Sequence, residues 1–173
     1  MTPTFRFPTR ALLVVAAMAL SACAQGGFGG GGGGANDLNG ANSALGSVND
    51  PTSPAFFNQT IGDRVLFAVD QSTLSPAAES VLRQQAQWLL TNTEYTALIE
   101  GHADEQGTRE YNLALGARRA ASVQAFLVNE GVPATRLETI SYGKERPIEI
   151  CSDESCYQQN RRGVTVISAN LGS

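Results

Sequence analysis

Asp104 and Arg119 are the residues whose types and spacing most suggest chemistry, and what they suggest is binding. Asp104 falls in the polar stretch Ala103–Thr108, and Arg119 lies well down the helical pattern that follows. An anion in a loop and a cation on the next helix suit a zwitterionic ligand. Arginine pairs bidentately with a carboxylate through its planar fork, while aspartate accepts hydrogen bonds from an ammonium group. Sequence alone does not bring the two together, and most surface Asp and Arg are simply solvated. Asp70 and the run Asn160-Arg161-Arg162 add further charge, with turn formation and a solvated charge run as their plain alternatives. Catalysis has little support. His102 is the only histidine and has no second ligand at metal spacing, and no serine is placed on a nucleophile elbow. No catalytic residue, metal site or cofactor is expected.

The elements that must position these residues follow from local pattern. Arg64 to Val69 is a short β-rich run, and Ser75-Pro76 then caps a helix from Pro76 to about Leu90. That helix buries Ala78, Leu82, Gln85/Ala86 and Leu89, with Val81 and Trp88 beside them. Tyr95 to Glu100 reads as a second strand. Thr108 caps a long helix to about Asn129, which stops at Gly131 with Pro133 beyond. Leu137 to Tyr142 and Gly163 to Ser168 give two more strands, flanking a loop that carries Cys151 and Cys156. The order β-α-β-α-β-β predicts an α/β sandwich, with helices packed on one face of a mixed sheet.

At about 100° per residue, Leu113, Gly116, Ala120, Val123 and Leu127 form the core stripe of the long helix. Arg118 points directly away from it. Arg119 sits on the flank, partly enclosed. Leu115 is off the stripe and one turn before Arg119, which presents an apolar side chain beside a cation; the alternative is an incidental exposed leucine.

The ends bound location and partners. Residues 1–22 hold Arg6, Arg10, the apolar run Ala11–Leu20 and then small residues, the layout of a secretory signal. That run is too short for a permanent span. Residues 23–58 are rich in Gly and then in Asn, Ser and Pro, and read as a flexible linker. Its root-mean-square reach is about 30 to 35 Å. Residues 59–173 form the folded domain. The net charge of −4 offers no basic field for nucleic acid. In an exported chain Cys151 and Cys156 are expected to pair as a disulfide, since metal ligation lacks partners.

Leu20-Ser21-Ala22-Cys23 matches the bacterial lipobox, and Glu100–Arg119 (EGHADEQGTREYNLALGARR) resembles the peptidoglycan-binding signature of OmpA-like periplasmic domains. With Asp70, Asn160-Arg161-Arg162 and Ser-Tyr-Gly-Lys-Glu-Arg-Pro, the resemblance narrows to the peptidoglycan-associated lipoproteins of the Tol-Pal system. It implies a tether and not an enzyme, cleaved before Cys23 and acylated there. Ala24 after that cysteine implies outer-membrane sorting, with the domain facing the periplasm. The implied ligand is peptidoglycan, through the meso-diaminopimelate of its stem peptides. The implied site is Asp104 and Arg119 on the zwitterion, Asp70 and Leu74 bordering the pocket, Leu115 beside the arginine, and Asn160 and Arg161 shaping it. TolB and the Tol complex are the implied protein partners. Gly107 and Asn112 match the family pattern as turn and helix-start residues. Ala68 and Val69 stand where the family pattern has an acid and an aromatic, so one pocket wall is altered. Another OmpA-like wall anchor is the alternative reading, and a peptidoglycan hydrolase a more distant one.

Overall fold

A computed structural model describes residues 46–169. The expected signal segment, the lipidation site Cys23 and most of the expected linker lie outside the described residues. The fold begins before the linker was expected to end. Ser53 caps α1 (Pro54–Phe56), its Oγ accepting from the Phe56 amide, and one wide π-helical stretch, Phe57–Gly62, follows. Phe57 is fully buried, its ring centroid 5.0 Å from that of Trp88, and the Trp88 indole N–H donates to the Pro51 carbonyl at 2.7 Å. The boundary at residue 58 is therefore corrected. Composition marks this stretch as linker-like, but one buried phenylalanine contributes about 2 to 3 kcal/mol, enough to order a short segment against a preformed surface.

Four strands make one sheet in the order β1-β4-β2-β3. They are β1 (Arg64–Leu66), β2 (Tyr95–His102), β3 (Leu137–Gly143) and β4 (Arg162–Ala169). Parallel pairing of β2 with β3 requires a crossover, which α3 (Arg109–Asn129) supplies, while β4 runs antiparallel to both β1 and β2. The mixed sheet is as expected. β1 stops three residues short of the predicted end, because the chain turns at Val69-Asp70, where Asp70 takes φ +56°. Asp tolerates this left-handed region better than most residues.

Ser75 caps α2 (Pro76–Thr91), which buries Ala78, Leu82, Gln85, Ala86, Trp88 and Leu89, the face its spacing predicts. Gln85 is buried by virtue of its hydrogen bonds: its amide donates to the Gly62 carbonyl and its oxygen accepts from Thr165.

Backbone meets backbone where α3 crosses the sheet. A Cβ on Gly101 would lie 1.8 Å from the Gly116 carbonyl oxygen, and one on Gly116 would lie 2.4 Å from the Ser141 hydroxyl. This close approach holds α3 at the carboxyl end of β2 and sets the residues one turn later against the strand ends. Its consequence corrects the predicted stripe. Gly116, Ala120, Val123 and Leu127 are buried, joined by Asn112, Leu115 and Arg119, but Leu113 is 49% exposed. The first turns of α3 pack against the Asp104 loop, so polar Asn112 faces inward there, donating to the Gln106 carbonyl at 2.7 Å. A further helix, α4 (Glu154–Asn160), occupies the stretch expected to be a loop. Asp153 caps it, accepting from the amides of Ser155 and Cys156.

Candidate ligand-binding site

A cavity of about 290 Å³ opens where the β1–α2 turn meets the start of α3. Val69 and Asp70 line it from the turn; Asp104, Gln106 and Gly107 from the β2–α3 loop; Tyr111, Asn112 and Leu115 from the helix. Asp104 is held on both carboxylate oxygens. Oδ1 accepts from the Gln106 amide at 3.1 Å, closing a local turn, and Oδ2 accepts from Arg161 Nη1 at 3.0 Å. Across the cavity, the Tyr111 hydroxyl donates to Asp70. Tyr111 is absent from the expected site. Its position one helical turn before Leu115 was the available signal, since residues four apart share a helix face.

Arg119 departs from the partly enclosed flank position. It is completely buried, donating from Nε to the Gln71 carbonyl (2.8 Å), from Nη1 to the His102 carbonyl (2.8 Å) and from Nη2 to the Ala68 carbonyl (3.1 Å). Its guanidinium lies 5.3 Å from the Phe67 ring centroid. The three carbonyls converge from the end of β2 and the turn after β1, and a planar five-donor group reaches all three at once. Burial pushes its pKa down to about 10, against the favourable charge of Asp104, so it stays cationic at neutral pH. It forms no ion pair with Asp104. It stands behind the cavity wall, with two of its five N–H groups uncommitted to the carbonyls.

The direct Asp–Arg pair is instead Asp104–Arg161. Arg161 is 3% exposed and also pairs with Glu154 and donates to the Phe67 carbonyl at 3.3 Å. Burial would lower its pKa, yet the hydrogen bonds to the Glu154 and Asp104 carboxylates hold it above the ordinary value. The solvated-run alternative for Asn160-Arg161-Arg162 fails, because all three are buried. Asn160 accepts from the amides of Ile148 and Glu149 and donates back to the Glu149 carbonyl, so it pins a loop and does not line the cavity. Leu74 does not line it either. It is half-buried and packs on the hydrophobic core, as an apolar side chain just ahead of a capped helix can. Leu115 lines the cavity but is 5% exposed, and so belongs to the packed wall more than to a free surface. Val69, the aliphatic replacement for an aromatic, is 56% exposed on the rim.

Arg118 is exposed, with its guanidinium 6.0 Å from the Tyr111 ring centroid. Arg118→Ala should therefore change ligand binding less than about twofold and stability by no more than ~0.5 kcal/mol. A binding isotherm and a thermal melt check both. Cys151 and Cys156 are bonded, with Cα atoms 5.8 Å apart.

His102 closes the strand end. Its ring is 1% exposed, with Nε2 3.4 Å from Glu100 and Nδ1 unpartnered, and it packs on Tyr142 at 5.5 Å. Burial, and then the charges of Arg162 and Arg146, lower its pKa from 6.5 to about 4. The unfolded chain therefore takes up this proton first as pH falls. The contribution is whole above pH 6.5 and is lost between 6.5 and 4. Its size is on the order of 3 kcal/mol. The melting temperature of wild type minus that of His102→Gln, followed from pH 7.5 to 4, should fall through that window.

Comparison with known proteins shows the family to which this fold belongs. Residues 66–161 match the OmpA family. Peptidoglycan-associated lipoprotein from Agrobacterium fabrum is 47% identical over 156 residues, covering 90% of this chain and 85% of that protein. The protein of the same name from Mesorhizobium japonicum is 48% identical, covering 91% and 90%. Among solved structures, the peptidoglycan-associated lipoprotein from Burkholderia pseudomallei aligns with a TM-score of 0.62 at 38% identity, over 70% of this chain and 98% of that one. These matches name a wall-associated lipoprotein and no enzyme class. The family match spans the Asp104 loop, Arg119 and Arg161, and the chain belongs to the OmpA family, in its group of peptidoglycan-associated lipoproteins.

Proposed function

We propose that this chain binds peptidoglycan through the free zwitterionic end of meso-diaminopimelate, and so tethers the outer membrane to the cell wall. The observation that carries this is the cavity itself: two carboxylates, Asp70 and Asp104, in its lining, with the buried cation Arg119 behind. The ligand's ammonium is accepted by the carboxylates. Its carboxylate lies toward Arg119 and the amino-terminal turn of α3, where the uncommitted guanidinium N–H groups and the helix dipole favour an anion. Leu115 and Val69 supply apolar contact for the stem-peptide chain.

Acyl groups on Cys23 would hold the chain in the outer membrane with the domain in the periplasm. Among the described residues no helix is long and apolar enough to cross a membrane. Within the Tol-Pal system, TolB is the partner, meeting a surface that overlaps the cavity during constriction at division. Each site binds modestly, and many tethered copies facing one polymer hold through effective concentration.

The test is co-sedimentation of the full chain with purified sacculi across a salt series, with free meso-diaminopimelate as competitor. Saturable binding that the amino acid displaces supports the reading. Binding that salt removes and the amino acid leaves untouched overturns it.

A further inference from the structure

The residue after Asp104 is tied by three hydrogen bonds to distant residues between Lys144 and Tyr157. Glu105 Oε1 accepts from the Ser152 hydroxyl at 3.0 Å and from the Tyr157 hydroxyl at 3.1 Å, across 47 and 52 residues of sequence. Its backbone carbonyl accepts from Lys144 Nζ at 3.2 Å, and the same ammonium reaches the Gly107 carbonyl at 2.7 Å. Glu105 is exposed and does not line the cavity, so ligand contact does not account for these bonds. Ser152 lies inside the ring closed by Cys151 and Cys156, and Tyr157 follows that ring directly.

A second link runs from the same ring. Glu154, also inside it, pairs with Arg161, whose Nη1 donates to Asp104. The segment carrying the ring has little core of its own: residues 145–150 are all exposed, and Ile150 is 89% exposed. Its order therefore depends on the cross-link, on the Asn160 hydrogen bonds and on the cap of α4. A loop so weakly packed samples many conformations once a local constraint is lifted.

We infer that Glu105 is a positioning residue for wall binding: the ring closed by Cys151 and Cys156 grips its carboxylate, and through it sets the Asp104 loop. This rests on Asp104 being a wall contact. Reduction by a dithiol breaks the Sγ–Sγ bond, transfers two electrons and two protons to give two thiols, and leaves the reductant as its own disulfide.

The test measures sacculus binding of the full chain, oxidised, as wild type, Glu105→Ala, Glu105→Gln and Asp104→Ala, with thermal melts alongside. Glu105→Ala should bind about five- to tenfold more weakly with little change in melting temperature. Glu105→Gln should bind within about twofold of wild type, because its amide oxygen still accepts from Ser152 and Tyr157. Reduction should weaken wild type by a similar factor and be reversed by reoxidation, and it should weaken Glu105→Ala clearly less than wild type, since only the link through Glu154 and Arg161 is then left to lose. Glu105→Ala at wild-type affinity overturns the inference, as does Glu105→Gln as weak as Glu105→Ala. Equal weakening of wild type and Glu105→Ala on reduction does so as well. If the reduced chain unfolds, the oxidised Ala and Gln pair decides alone. Full binding by Asp104→Ala would instead remove the wall-contact reading and this inference with it.

Discussion

Asp104→Ala is expected to remove sacculus binding while leaving the domain folded. The carboxylate is 8% exposed, lines the cavity and is held on both oxygens. An incoming ammonium meets an acceptor already oriented and largely desolvated, the condition under which truncating one member of a charge pair costs about 2 to 5 kcal/mol. That is a loss of roughly 30-fold to several thousandfold in affinity. The fold survives because Arg161, left without Asp104, keeps Glu154 and the Phe67 carbonyl. A sedimentation isotherm beside a thermal melt reads both quantities. Binding within threefold of wild type would show that the ligand does not use this carboxylate.

Arg119→Ala should act on stability first. Three carbonyls, from Ala68, Gln71 and His102, lose the guanidinium together, that of Ala68 keeping a second donor in the Gln71 amide, and the largest fully buried side chain of the domain is removed. Unsatisfied buried acceptors and the cavity together are worth about 3 to 5 kcal/mol. In a domain of this size the melting temperature should drop on the order of 15 °C. Lost wall binding by this variant then has two causes, so Arg119→Lys is the sharper probe. It keeps the charge and one donor group, should recover part of the stability, and should bind better than Ala under conditions where both are folded. A melt within 3 °C of wild type for Arg119→Ala would contradict the triple-carbonyl anchoring.

The contrast between these variants follows from position in the fold. Residue pattern places both Asp104 in a loop and Arg119 on a helix, and both are where it places them. What pattern does not contain is the set of partners. Arg119 meets the ends of β1 and β2, which approach it because Gly101 and Gly116 let the helix and strand backbones touch. Asp104 meets Arg161 from a segment 57 residues away. A solvated charge and a buried donor look alike in one dimension, since the difference lies in which carbonyls converge on the side chain.

Sequence by itself determined the four strands and the helices α2 and α3, the cap residues Ser75 and Thr108, the buried face of α2, the exposure of Arg118 and the motif carrying the family. These depend on neighbours within about one helical turn or on strand alternation, and such interactions are written locally. Tertiary structure alone decided the early start of the fold at Pro51 to Phe57, the exposure of Leu113, the helix α4, the full burial of Arg119 and the pairing of Arg161 with Asp104. Each of these turns on a surface that exists only after distant segments have packed. Burial and hydrogen-bond satisfaction are properties of that assembled surface and leave no local period to read.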